Sequence, residues 1–217
     1  MNILLTGFEP FGGEAINPSW EVARALQGQI IADALVQARC LPTSFGAAPV
    51  ALAVALAEVQ PGLVIALGQA SGRTEISIER VAVNLIDARI ADNAGERLQD
   101  VPVRAGAPAA YFSTLPIKAM RNGLRAAGHP AGLSLTAGAF VCNQVFFELQ
   151  HQLVGQEVRS GFIHIPALPE QAARSQPTLA SMSLAAQVEA IKLAIAIALT
   201  GDEALASGEP DEGAPVA

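Results

Sequence analysis

The sequence predicts an α/β fold, a single domain built on a mostly parallel, twisted sheet. An opening apolar run, Asn2 to Gly7, leads into a loop rich in Gly and Pro and then into a helical stretch. The same alternation recurs through Leu35 to Leu41, Ala47 to Val59 and the run LVIALG at 63–68. These runs are continuously apolar rather than alternating, as expected of strands covered by helices on both faces. The 217 residues suit one domain with a substantial core, assigned to 1–200, with 201–217 left as a tail.

Each element has a local reason. Asn17, Pro18 and Ser19 offer cap and first-turn chemistry for the first helix. The stretch ISIERVAVNLID begins with apolar residues at even positions, Ile76 and Ile78, and continues with odd ones, Val81, Val83 and Leu85. A strand keeps one face per parity, so the change at Glu79 and Arg80 implies a bulge or tight turn, a β-hairpin-like excursion from the sheet. A Gly- and Pro-containing loop from Ala91 to Pro108 precedes a helix from Ile117 to Ala127. GLSLTAGAF, 132–140, reads as a short buried strand, and VCNQVFFELQHQL spaces its apolar residues as a helix. The strand GFIHIP and a helix over Leu184 to Leu199 complete the core, and the acidic, small-residue tail from Gly201 has the composition of a disordered segment.

Composition narrows the function classes. The net charge of -7, without clustered Lys and Arg, argues against nucleic acid and anionic membrane surfaces. MNILLTGF carries no signal-peptide pattern, and LAIAIAL near the end is too short to cross a bilayer. Cys40 and Cys142 are the only cysteines, which fits a reducing cytoplasm. With His129, His151 and His164 scattered, no metal site is expected. A hydrophobic share of 51% against 15% charged residues suggests that part of the surface meets another subunit. TGFEPFGG lacks the Walker lysine and the dinucleotide glycine spacing, so no nucleotide is expected there.

Two residues carry a chemical hypothesis. Cys142 falls in the first turn of a predicted helix, where unpaired backbone donors and the helix dipole favour thiolate over thiol. His164 lies between Ile163 and Ile165, on the opposite strand face from them, with Pro166 ending the strand. Both residues also suit plain core packing. Glu79 sits at the parity break, and Arg73 and Arg80 are near enough in sequence for an ordinary solvated ion pair. Phe8 and Phe11 place two aromatics in the loop leaving the first strand, where open α/β sheets gather ligands, although core filling would account for them equally.

TGFEPFGG, INPSW, GRTEISIERVAVNLIDARI, AGAPAAYFSTLP, FVCN and GFIHIPALPEQ occur together and in this order. The chain closely resembles the pyroglutamyl peptidase type I family, also called pyrrolidone carboxyl peptidases, from Met1 to about Leu199. The resemblance implies an α/β/α sandwich and a cytosolic cysteine exopeptidase that removes an N-terminal pyroglutamyl residue from peptides. It further implies a homo-oligomer, tetramer favoured and dimer possible, that needs no cofactor. Residue by residue it implies Cys142 as nucleophile, His164 as base and Glu79 as third member of a triad. It places Phe8, Phe11, Phe140 and Val141 in the substrate pocket, with Thr43 and Ile90, and puts Gln69 and Arg89 near the site. An uncharged lactam suits such aromatic walls. A lactam-binding protein without turnover and an amidase for another small cyclic amide are the competing readings.

Overall fold

The computed structural model describes residues 1–201, so the predicted tail lies outside the described residues apart from Gly201. The first apolar run forms β1 (Asn2–Phe8). In α1 (Pro18–Leu26) the Asn17 side chain accepts from the Ser19 N–H at 3.1 Å and Pro18 opens the first turn, as the local sequence predicts. There follow β2 (Ile30–Ile31), β3 (Ala34–Leu41), α2 (Ala48–Val59) and β4 (Leu63–Gln69). The parity break is real: β5 (Ile76–Glu79) ends at Glu79, and β6 (Val81–Val83) leaves the main sheet to pair antiparallel with β7 (Ala110–Phe112). The chain closes with α3 (Ile117–Ala126), β8 (Ala131–Ser134), α4 (Val141–Gln152), β9 (Arg159–Ile165), the short α5 (Pro169–Ala172) and α6 (Leu184–Thr200).

The seven-stranded sheet runs β2-β3-β1-β4-β9-β5-β8. Its pairs are parallel except for β2 with β3 and β5 with β9. Strand parity divides the core. Ile3, Leu5, Ile163 and Ile165 pack with Val22 of α1, Met120 of α3 and Ile191 of α6. On the other face Leu4, Phe8, Val64 and Phe162 pack with Leu52 of α2 and with Val145 and Phe146 of α4. The result is one α/β domain with helices on both faces of a mostly parallel sheet.

One predicted strand is shorter than its composition suggests. Of GLSLTAGAF only the first residues extend a strand, and Leu135 is 69% exposed. Gly138, at φ +79°, turns the chain instead, and the segment 135–140 is a loop leading into α4.

Candidate active site

Three elements converge where β4 and β9 end. Cys142 occupies the first turn of α4, whose N-cap position, Phe140, supplies no side-chain hydrogen bond. His164 is the penultimate residue of β9 and lies opposite Gly68 of β4. Glu79 ends β5, which runs antiparallel to β9 with Ser77 opposite His164. Glu79 and His164 are therefore diagonal neighbours on one sheet face, a spacing that long side chains bridge. Glu79 Oε1 lies 2.8 Å from His164 Nδ1, with the histidine 4% exposed and the carboxylate fully buried. A carboxylate only accepts, so the ring carries its proton on Nδ1 and keeps Nε2 as the free acceptor. The ring packs on Phe162, centroids 4.8 Å apart.

Gly68 makes room for this arrangement. A Cβ there would stand 2.8 Å from the Phe162 ring and 3.0 Å from the Cys142 Sγ. The thiol thus lies over the strand that borders His164.

The electrostatics correct one expectation. The helix terminus alone would favour thiolate, yet burial, followed by the charge of Glu79, pushes the Cys142 thiol from 9.0 up to about 12. Desolvation and the Glu79 charge outweigh the backbone hydrogen bond at Cys142, the one contribution that lowers the value, so the thiol is favoured over a preformed thiolate in the free site. Glu79 also pairs with Arg73, Nη2 to Oε1 at 3.2 Å. The neighbouring arginine suspected from sequence is a true partner, but the carboxylate it meets is buried, so this is no solvated surface pair.

A cavity of about 580 Å³ opens beside these groups, lined among others by Phe8, Phe11, Phe140, Cys142 and His164. Phe140 packs against Phe11 (centroids 5.2 Å) and edge-on against Phe45 (5.1 Å), so the aromatic wall is braced from behind. Thr43 and Ile90 line the same cavity, as do Gln69 and Arg89. Val141 does not: its side chain is fully buried in the core beneath, because the first turn of α4 points it at the sheet rather than at the opening. Glu79 is likewise behind His164 rather than on the cavity wall.

The loop positions are pinned by polar contacts. The Glu9 carboxylate accepts from the Thr43 N–H (2.9 Å) and from Asn93 Nδ2 (2.8 Å), joining three loops. Burial works to raise the Asp92 pKa, but N–H groups of Phe45, Glu96 and Ala94 and the Ser44 hydroxyl hold the carboxyl below the usual value. Asn143, fully buried beside the nucleophile, clamps the excursion by accepting from Val83 N–H and donating to the carbonyls of Val83 and Leu85.

The family model described as pyroglutamyl peptidase matches residues 1–201. The chain belongs to the pyroglutamyl peptidase family. A pyrrolidone-carboxylate peptidase of Cupriavidus pinatubonensis is 60% identical over 200 residues, covering 91% of this chain and 92% of the relative. One from Klebsiella pneumoniae is 56% identical over 198 residues, covering 91% and 92%. Among solved structures, pyroglutamyl peptidase I of Bacillus amyloliquefaciens superposes with a TM-score of 0.89 at 41% identity, over 92% of this chain and 97% of that one. A mutant pyrrolidone carboxyl peptidase from Pyrococcus furiosus gives 0.90 at 46% identity, over 93% and 100%.

This member of the pyroglutamyl peptidase family has site residues that sequence reasoning missed. Gly68 was hidden in an apolar run, and only its closeness to Cys142 reveals its part. Gln171 of α5 lines the cavity and donates to Gln69 Oε1 at 3.2 Å while accepting from the Leu168 N–H. Phe45 gave no signal at all, since its role is to support Phe140. Among the described residues no helix is long and apolar enough to cross a membrane.

Proposed function

We propose that the protein hydrolyses the amide bond after an N-terminal pyroglutamyl residue through a Cys142–His164–Glu79 triad and a thioester intermediate. The observation that carries the reading is the 2.8 Å contact between His164 Nδ1 and Glu79 Oε1, with Cys142 and His164 lining one cavity. The pyroglutamyl ring, an uncharged lactam, fits between Phe8, Phe11 and Phe140 with Thr43 and Ile90 at its edges. Gln69, held by Gln171, offers an amide to the lactam, and Arg89 stands exposed at the rim. Val141 contributes through its backbone at the start of α4 rather than through its side chain.

The raised thiol pKa dictates the order of events. His164 Nε2 takes the Cys142 proton as sulfur attacks the carbonyl carbon, so thiolate and imidazolium form together with substrate in place. Glu79 fixes the imidazole tautomer and stabilises its charged form. N–H groups of the uncapped first turn of α4 stabilise the oxyanion, about 3 kcal/mol per donor in comparable sites. His164 then protonates the leaving amine. A water, deprotonated by the same imidazole, releases pyroglutamate and restores the thiol.

The presence of only two cysteines, Cys40 and Cys142, in the sequence supports a cytoplasmic setting. Val50 and Val54, 63% and 50% exposed on the outer face of α2, support a homo-oligomer, with a tetramer favoured. The test of substrate class is fluorophore release from pyroglutamyl and prolyl coumarylamides. Release from the pyroglutamyl compound alone supports the proposal. Release from neither by folded protein favours a binding role, and release from other cyclic amides favours a different amidase.

A further inference from the structure

Arg73 belongs to no part of the reaction described so far, yet its guanidinium makes two contacts that no surface arginine needs. It sits in the turn of Ala70–Arg73 that follows β4, where Gly72 adopts φ +91° and the Arg73 N–H returns to the Ala70 carbonyl. From there Nη2 reaches Glu79 Oε1 at 3.2 Å and the Thr136 carbonyl at 3.3 Å. Its side chain is 29% exposed whereas that of Glu79 is fully buried. One group therefore spans the carboxylate of β5 and the 135–140 loop, which builds one wall of the cavity and delivers the chain to Cys142.

We propose that Arg73 is a positioning residue for the reaction, clamping Glu79 to the loop that precedes Cys142 and balancing the buried Glu79 charge beside the site. The proposal rests on the triad reading above. A lone carboxylate in this setting is costly, because Glu79 is fully buried; Oε1 carries the contacts to His164 and Arg73, and Oε2 finds no partner among the described residues. The guanidinium offsets part of the negative charge that Glu79 presents to the sulfur. The charged and titratable groups around the thiol are Glu79 from β5, His164 from β9 and Arg73 from the turn after β4. Beyond them Glu14, Asp87 and Arg89 line the cavity at exposed positions. Among the described residues Arg73 is the one Lys or Arg in contact with Glu79, so its removal leaves the triad more negative. The site then holds its proton to higher pH, and the acid limb of kcat/KM moves up, an apparent midpoint belonging to the coupled groups together.

The experiment compares pH profiles of pyroglutamyl coumarylamide hydrolysis for the wild type, Arg73→Gln and Arg73→Lys, with folding checked by circular dichroism. The expected result for Arg73→Gln is an acid midpoint raised by about one pH unit, a roughly tenfold loss of kcat/KM below that midpoint, and KM within about twofold. Arg73→Lys keeps the charge and returns the midpoint toward that of the wild type. Arg73→Met, which keeps the apolar stem, carries the same expectation as the Gln variant should that variant fail to fold. An unchanged midpoint in the neutral variants, or a loss confined to KM, overturns the proposal. Activity retained in Cys142→Ala and Glu79→Gln would instead remove the triad reading, so the two failures are separate.

Discussion

Glu79 Oε1 approaches His164 Nδ1 to 2.8 Å across two antiparallel strands in a sheet whose other central pairs are parallel. That single reversal places the carboxylate diagonal to the histidine instead of one strand layer away. The buried contact leaves Nε2 as the only ring nitrogen able to accept a proton from sulfur.

Glu79→Gln tests this relationship. The amide preserves the shape but can donate to the ring, which favours the wrong tautomer and removes support for imidazolium. We expect kcat to fall by about 10³- to 10⁴-fold with little change in KM, read by steady-state kinetics. A loss below tenfold would mean that the carboxylate charge is not used.

Gly68→Ala tests whether the thiol needs the space over β4. The added methyl would meet the Phe162 ring and the Cys142 Sγ, both held in packed surroundings. A stability loss of about 1–3 kcal/mol is expected from overpacking, measured by urea unfolding. A fall in kcat larger than any change in KM should accompany it, because the sulfur and not the ring pocket is displaced.

Phe11→Ala removes one wall of the cavity but leaves Phe140 braced by Phe45. KM for a pyroglutamyl amide is expected to rise about tenfold, the worth of roughly 1.4 kcal/mol of ring contact. Phe45→Ala, though its ring is not on the cavity wall, should raise KM as well by freeing Phe140. Unchanged KM in both variants would place the lactam elsewhere.

The raised Cys142 pKa predicts a stability dependence at alkaline pH. The folded state holds the thiol proton up to about 12 whereas an unperturbed thiol loses it near 9.0. The contribution is therefore complete below about pH 9 and is lost as pH rises toward 12. Cys40, raised to about 11 by burial and then by Glu9, adds in the same sense. In a Cys40→Ala background, Cys142→Ala should lose less stability between pH 8 and 10.5 than the protein that keeps Cys142. Parallel urea midpoints across that range would contradict the assignment.

What the sequence disclosed follows from how local each signal is. Asn17, Pro18 and Ser19 announce the start of α1 because cap chemistry involves only neighbours. The parity change at Glu79 and Arg80 marks the departure of β6 for the same reason. Cys142 and His164 were legible as candidates since each stands at an element boundary. The end of β8 was misjudged because apolar composition continued past Ser134 while the Gly138 turn took the chain elsewhere. The thiol pKa was misjudged because the helix terminus is visible in sequence, whereas the burial and the Glu79 charge that oppose it come from β5, β9 and Phe162. Gly68 was obscure for a related reason, since its closeness to Cys142 is created only by folding. Arg73 was legible as a partner for Glu79, but the burial of that carboxylate and the second contact to the Thr136 carbonyl were not.

The central claim is that Cys142 sulfur becomes acylated, and rapid acid quenching followed by peptide mass spectrometry tests it most directly. During turnover of a pyroglutamyl ester, chosen so that acylation outpaces hydrolysis, the account predicts a pyroglutamyl thioester on the peptide carrying Cys142 and none on that carrying Cys40. Turnover at an undiminished rate by Cys142→Ala, with no adduct at position 142 in the wild type, would contradict it.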